Sequence, residues 1–421
     1  MGSSLLTDRS VILAPIREGR IGTSVSQHRD ALSVLERGSL ERCLAPLGEA
    51  ETLPGAAYND ARLFQWEQQA FFESSWLCLG RSSDLTRVGD QKAVALGSET
   101  AIVVRDEAGL RAFFNVCRHR GHELLEAGSC SHARAIKCPY HGWVYGLDGS
   151  LKGAPRYSDT PGFEPSEHSL VPLRVEEWDG WIFANASGDA PPFDQHLGSL
   201  DALTADHECE RLIALARHDY VVAANWKIVT ENYHECYHCP QIHPELCRVT
   251  SPDSGTDDPS DGAWAGGSMD LFEHAATMSI TGESGGQILR RLDAGKSRKV
   301  YYYSLWPNLL ISLHPDYVMT HRLEAVAPDA TRIECEWLFP PEVATGDFDP
   351  SYAVDFWDTT NREDWGACES VQRGTASRAY SQGPLSLVEG TTHQFIAMVA
   401  AGYLQGRVVP ATGGDLVSGL R

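Results

Sequence analysis

The chain has 421 residues, 42% hydrophobic and 22% charged, a globular composition with more length than one core usually organises. Its 35 basic and 57 acidic residues leave a formal charge of −22, which argues against nucleic acid or an anionic membrane as the main partner and suits a cytoplasmic enzyme. No apolar run has the length of a transmembrane helix, and the N-terminus lacks a basic-then-apolar signal pattern. Eleven cysteines, several beside histidines, read as ligands or free thiols rather than a secreted disulfide framework.

In chain order, residues 1–58 read as an arm with a short helix near Ser26–Arg37. Asn59 and Asp60 precede an amphipathic helix whose Leu63, Trp66 and Ala70 share a face. From Ser98 the period becomes that of strands. Ala101–Arg105 and Leu110–Val116 flank a turn at Asp106–Gly109. Trp143–Tyr145 and its successor flank Asp148-Gly149, and Leu173–Trp178 and Trp181–Ala184 flank Asp179-Gly180. These hairpins predict a small antiparallel β domain over residues 59–187, with Ser187–Phe193 as the linker to a second domain at 188–421.

In the second domain, Asp219–Ala223 reads as a strand leading into a helix capped by Asn225 and stopped by Pro240 and Pro244. Ser251–Ser268, rich in Gly, Ser and Asp, reads as a long loop, mobile or a lid. Leu309–Leu313, Tyr317–Ala325 and Thr331–Phe339 read as an antiparallel meander, followed by a helix over Ser351–Arg373. The predicted fold class is α+β, an all-β domain joined to an antiparallel sheet flanked by helices.

Two constellations carry chemistry. Cys117 and His119 form one compact pair, Cys138 and His141 another, each beside a predicted turn. The 18 residues between His119 and Cys138 can loop so that the pairs meet. Two thiolates and two imidazoles can bind zinc, or a [2Fe–2S] cluster with cysteines on one iron and histidines on the other. Each pair is mixed, as required when two loops each supply one ligand to both irons. Cys130 and His132, in the intervening loop, fit neither pair and read as non-ligands.

The second constellation is NWKIVTENYHECYHCPQIHP, residues 225–244. Glu231, Glu235 and His238 are spaced i, i+4, i+7 and share one face of the predicted helix, and His243 follows on a proline-flanked loop. Imidazoles and carboxylates gathered near one point are costly to bury unless a metal cation joins them. Downstream, Val354, Trp357, Asn361, Asp364, Cys368 and Val371 form one helical seam. Asp364 sits in the middle of it, a carboxylate among mostly apolar neighbours; Glu363 points off it.

At these residues the chain resembles a known family. CRHRG (Cys117–Gly121) and CPYHGWVYGLDG (Cys138–Gly149) are similar to the two boxes of the Rieske non-haem iron oxygenases. The stretch around His238 and His243 resembles that family's catalytic box, and NREDWGACESVQRG resembles its segment with the third ligand. The resemblance implies a Rieske [2Fe–2S] cluster on Cys117, His119, Cys138 and His141. It also implies a mononuclear Fe(II) on His238, His243 and Asp364, dioxygen as co-substrate, and a terminal oxygenase fed by a separate NAD(P)H-dependent reductase or ferredoxin. No Gly-rich dinucleotide fingerprint is present in the chain itself.

A homotrimer is implied as well, in which Glu235 links the iron to a neighbouring subunit's Rieske histidine, with Asn232 as a further polar contact. Glu235 stands where many members carry Asp, and this and SRAYSQGPLS (Ser377–Ser386) look like the branch acting on choline, carnitine and betaine. Hydroxylation or N-demethylation of a small quaternary or N-methyl amine is therefore the expected reaction. An aromatic cage for the cation would draw on Trp264, Phe272, Tyr303 or Trp306. The alternatives are an aromatic-ring hydroxylating dioxygenase, a Rieske electron carrier or a structural-zinc protein. Arg118 and Arg120 either seat an acidic partner, orient the cluster loop or are simply solvated.

Overall fold

Two seven-stranded sheets, antiparallel throughout, form the framework of this computed structural model, which describes residues 31–344 and 347–408. The start of the Ser26–Arg37 helix lies outside the described residues. Arg37–Cys43 forms a helix whose inner face buries Leu40 and Cys43.

The first sheet runs, edge to edge, Leu77–Arg81, Trp181–Asn185, Pro172–Trp178, Gly109–Phe114, Glu99–Asp106, Asp90–Leu96 and Cys130–His132. A three-stranded sheet of Ile136–Lys137, Val144–Tyr145 and Leu151–Gly153 completes this half. The predicted hairpins are present. In the third, Trp181 pairs with Trp178 across Asp179 (φ 49°) and Gly180 (φ 81°), the positive pair that a two-residue turn requires.

The Leu63–Ala70 amphipathic pattern is also helical. Asp60 accepts hydrogen bonds from the amides of Arg62 and Leu63, Ala61–Glu67 is α-helical, and Gln68–Glu73 widens into a π-helix.

The second sheet runs Ile213–Val222, Ala330–Phe339, Val318–Ala327, Leu309–Leu313, Lys299–Leu305, Trp264–Asp270 and Thr256–Asp257. The predicted meander is there, but the expected loop over Ser251–Ser268 holds only in part. Trp264–Asp270 is a strand paired with Lys299–Leu305, and Thr256–Asp257 pairs with it on the outer side. Gly266 and Gly267 hide the strand from propensity rules, yet packing demands them. A Cβ on Gly267 would lie 1.8 Å from the Thr256 carbonyl oxygen, and one on Gly266 would lie 2.2 Å from the Tyr303 ring.

Three helices pack against this sheet and one another: Trp226–Tyr233, Ser351–Thr375 and Gly390–Gln405. Asn225 caps the first, accepting the Lys227 amide at 3.0 Å. That helix ends at Tyr233, not at the imidazole pair, so the single helical face of Glu231, Glu235 and His238 does not exist. Glu231 instead accepts the Tyr58 hydroxyl at 2.9 Å, while Glu235 and His238 lie in the connection to a short helix, Cys239–Ile242. In the long helix the predicted seam holds as far as Cys368. One turn on, Val371 is 48% exposed and Gln372 is buried, because a 3.6-residue turn drifts off a strict 3,4 spacing.

The two halves share cores. Trp181 and Phe183 of the first sheet, with Trp76 just before it, pack with Tyr303, Ile311 and Leu338 of the second, each fully buried apolar side chain contributing about 1.5–3 kcal/mol. A separate small core of Ile102, Phe113, Trp143 and Tyr145 sits beneath Cys117 and Cys138. No helix among the described residues is long and apolar enough to cross a membrane.

Candidate functional site

The Cys117 and Cys138 loops are near copies of each other. In each, the cysteine amide donates to the carbonyl five residues on (His122, Trp143), and a glycine four residues on donates back to the cysteine carbonyl. Those glycines, Gly121 and Gly142, both have φ of 73°, which only glycine adopts readily. The loops bring the His119 and His141 rings to 4.6 Å, and the His119 ring stacks on Trp143 at 5.0 Å. Cys117 and Cys138 are buried neighbours (3% and 1% exposed), whereas His141 faces outward.

Burial pushes the Cys117 thiol up, and burial together with His141 pulls the His119 imidazole down. Two adjacent buried cysteines beside two imidazoles suit a cationic cluster that deprotonates the thiols and takes the imidazole lone pairs. Cys130 and His132 are elsewhere, on the edge strand beside Asp90–Leu96, where His132 meets Asp90 at 2.8 Å.

The second group assembles from three segments. Nε2 of His243 lies 2.8 Å and Nε2 of His238 3.3 Å from the same oxygen, Oδ1 of Asp364. Asn232 donates its amide to that oxygen at 3.2 Å. Each imidazole is also held from behind. His238 Nδ1 donates to Glu235, whose other oxygen accepts the His238 amide at 3.1 Å. His243 Nδ1 donates to Glu363 at 2.8 Å. Glu363 is therefore part of the site, contrary to the reading that it points away. It is off the seam, but His243 approaches from a loop at the seam's edge.

Burial opposes charge on His238, but its hydrogen bonds to Asp364 and Glu235 prevail and raise it to about 9. Burial would likewise raise Asp364, yet the two imidazoles hold it below the usual carboxylate range. A pair of imidazoles whose Nδ1 protons are fixed by carboxylates presents two Nε2 lone pairs beside one carboxylate, and this donor set fits a divalent cation. Cys239 is also close to both imidazoles, but its sulfur is bonded to Cys236 and is no thiolate donor. This Cys236–Cys239 pair, a C-x-x-C spacing around His238, was not anticipated from the sequence. His234 is turned away, its Nε2 2.6 Å from the Ser304 hydroxyl.

These groups open on a cavity of about 440 Å³, whose walls include Tyr233, Tyr302, Trp357, Trp365, Leu310 and Met319. None of the four aromatic residues expected for a cage lines it. Trp264, Tyr303 and Trp306 are buried in the cores and Phe272 is at the surface. Alternation along Lys299–Leu305 explains the miss for Tyr303, since its neighbour Tyr302 faces the cavity instead.

Two buried thiols and two imidazoles on paired loops, with a separate two-histidine, one-carboxylate site beside a cavity, define a two-centre iron protein. The chain belongs to the Rieske non-haem iron oxygenases, as an oxygenase subunit. The Rieske [2Fe-2S] domain family matches residues 75–164, and the family of the ring hydroxylating alpha subunit (catalytic domain) matches residues 209–405. The glycine betaine monooxygenase oxygenase subunit of Chromohalobacter salexigens is 31% identical over 369 residues, 80% of this chain and 82% of that one. The carnitine monooxygenase oxygenase subunit of Escherichia coli is 31% identical over 340 residues, 79% and 86% of the two chains. A solved quaternary ammonium Rieske monooxygenase, described for carnitine oxidation and inter-subunit electron transfer, is similar with a TM-score of 0.73 and 27% identity, covering 86% of this chain and 98% of its own. The chain is thus an enzyme with a Rieske cluster, a mononuclear iron and dioxygen as co-substrate.

Proposed function

We propose that this oxygenase hydroxylates an N-methyl group of a small quaternary or N-methyl ammonium compound. One oxygen atom of dioxygen enters a methyl C–H bond and the other leaves as water, with two electrons and two protons consumed. The N-hydroxymethyl product then releases formaldehyde and a proton, leaving the demethylated amine. The observation that carries this reading is the cavity itself: five aromatic side chains, Tyr233, Tyr237, Tyr302, Trp357 and Trp365, wall a space that opens on the His238, His243 and Asp364 group. Aromatic faces stabilise an ammonium group by about 0.5–2 kcal/mol each. The relatives named for glycine betaine and carnitine support it.

In this reading Cys117, His119, Cys138 and His141 hold the cluster, and His238, His243 and Asp364 hold the mononuclear iron; together these groups supply electrons and dioxygen activation. Glu235 and Glu363 keep the imidazoles in the Nε2-binding tautomer, and Asn232 orients Asp364. Electrons come from a separate reductase or ferredoxin. The protein works as a homotrimer, with the cluster of one subunit serving the iron of the next. Both ends of that route are accessible in the single chain: Tyr140 beside His141 is 53% exposed and Tyr237 beside His238 66%. A cytoplasmic location suits a chain in which nine of eleven cysteines are free.

Single-turnover product analysis tests the proposal without the reductase. The chemically reduced enzyme is mixed with dioxygen and a panel of quaternary amines and simple arenes. Formaldehyde with a demethylated amine is expected; a ring diol from an arene overturns the substrate assignment.

A further inference from the structure

The cavity's charge balance is one-sided. Among the described residues that line it there is no lysine and no arginine; an Fe(II) on His238, His243 and Asp364 would offset Asp364 and the adjoining Glu235, which leaves Asp253 and Asp257 as carboxyl groups away from the metal. Its four histidines do not redress this. His238 and His243 are the proposed iron ligands. Burial holds His234 down at about 3 and His321 at about 4, so both are neutral at pH 7.

The neutral donors near the exposed acids are already engaged. The Thr391 hydroxyl donates to Asp257 at 2.6 Å, and the Thr256 and Ser268 hydroxyls pair with each other at 2.9 Å. Deeper in, the Asn232 amide serves Asp364 and the Tyr233 hydroxyl meets Ser312 at 3.0 Å.

We infer that the substrate carries its positive charge without a carboxylate: a monocation whose remaining part is an alcohol, amide or hydrocarbon, and not a zwitterion. This rests on the ammonium reading above and narrows it. An ammonium group finds aromatic faces and carboxylates here. A carboxylate at the end of the same molecule away from the iron would find no lysine or arginine on the wall and would meet Asp253 and Asp257, while Lys299, 3.5 Å from the Ser268 hydroxyl, is already held by Asp270 at 2.9 Å. Glycine betaine and carnitine, after which the two relatives are named, are zwitterions. The charge pattern therefore separates this chain's substrate from theirs.

The experiment uses the full chain loaded with both iron centres and two nearly isosteric pairs, glycine betaine with its primary amide and γ-butyrobetaine with its primary amide. Calorimetry reads binding, and single-turnover analysis reads formaldehyde. The amide of each pair is expected to bind about 100-fold more tightly, two decades in Kd, and to be the member that is demethylated. A carboxylate member that binds as well as its amide overturns the inference and leaves the ammonium reading standing.

Asp253, on the exposed Pro252–Ser254 turn, gives the second arm. The substitution Asp253→Arg is expected to narrow the gap by about tenfold, and an unchanged gap overturns the electrostatic account. If no member of either pair binds, the ammonium reading has failed and this inference with it.

Discussion

The two regions proposed to bind iron solve one problem in opposite ways. The cluster loops lie within 25 residues of sequence, Cys117 to His141, and each is a self-contained turn with its own glycine and its own backbone hydrogen bonds. The mononuclear group spans Glu235 to Asp364 and exists only because a loop, a short helix and a long helix converge. In the first, backbone geometry aims the ligands. In the second, carboxylates do: Glu235 and Glu363 brace the imidazoles, while Asp364 faces both. Local geometry leaves a signature in a short stretch of sequence, whereas convergence leaves only fragments of one.

Removing a ligand from either region makes the contrast measurable, and gives the largest effects. His238→Ala is expected to lower iron from about three to about two per chain, abolish turnover and keep the cluster's visible spectrum. Cys117→Ala is expected to do the reverse, bleaching the cluster with about one iron left and no reductase-driven turnover. Iron analysis with visible spectroscopy checks both. An unchanged iron content in His238→Ala, or a coloured and active Cys117→Ala enzyme, would reject the corresponding ligand assignment.

The bracing carboxylates come next. Glu235→Gln keeps the geometry but removes the charge behind His238, the more exposed of the two imidazoles. Both metals are expected to stay, while oxidation of the reduced cluster by dioxygen and substrate slows by about 10–100-fold in stopped-flow traces. Glu363→Gln acts on His243, further from the surface. It is expected to weaken iron retention by about tenfold in chelator competition, with cluster oxidation unchanged once iron is saturating. Equal effects of the two variants on transfer would mean that Glu235 is a support residue like Glu363 and no conduit.

The same division between local and convergent structure explains what was legible in the sequence. The two paired Cys/His loops, proposed to hold the cluster, and the three hairpins could be read because turn chemistry is local. Asp364 could be read because a carboxylate in an apolar seam demands a partner. Glu363 could not, because its partner His243 arrives from 120 residues away and outside the seam. The helix from Asn225 was drawn too long, since nothing in its periodicity marks the break after Tyr233. The Trp264–Asp270 strand was read as a loop because its two glycines answer to neighbouring backbone, which a propensity rule does not contain. The cavity's aromatics were misassigned for a related reason: only the sheet register puts Tyr302 on one face and Tyr303 on the other.

The smallest expected effect lies in the local region. The Tyr145 hydroxyl sits 3.2 Å from Cys117 Sγ and accepts the Arg118 amide at 2.9 Å. A cluster-bound Cys117 is a thiolate with no proton to give, so the phenol must be the donor, and it draws electron density from the sulfur. Such a bond stabilises the reduced cluster, which carries one more negative charge. Tyr145→Phe removes it without touching a ligand or opening a cavity, because the ring stays. A hydrogen bond of about 1 kcal/mol corresponds to about 40 mV for a one-electron couple, so the midpoint potential is expected to fall by roughly that amount with the cluster intact. A redox titration followed by visible absorbance reads it directly. An unchanged potential would show that the hydroxyl serves the Arg118 amide alone, and that the cluster's tuning, like its aim, is left to the backbone.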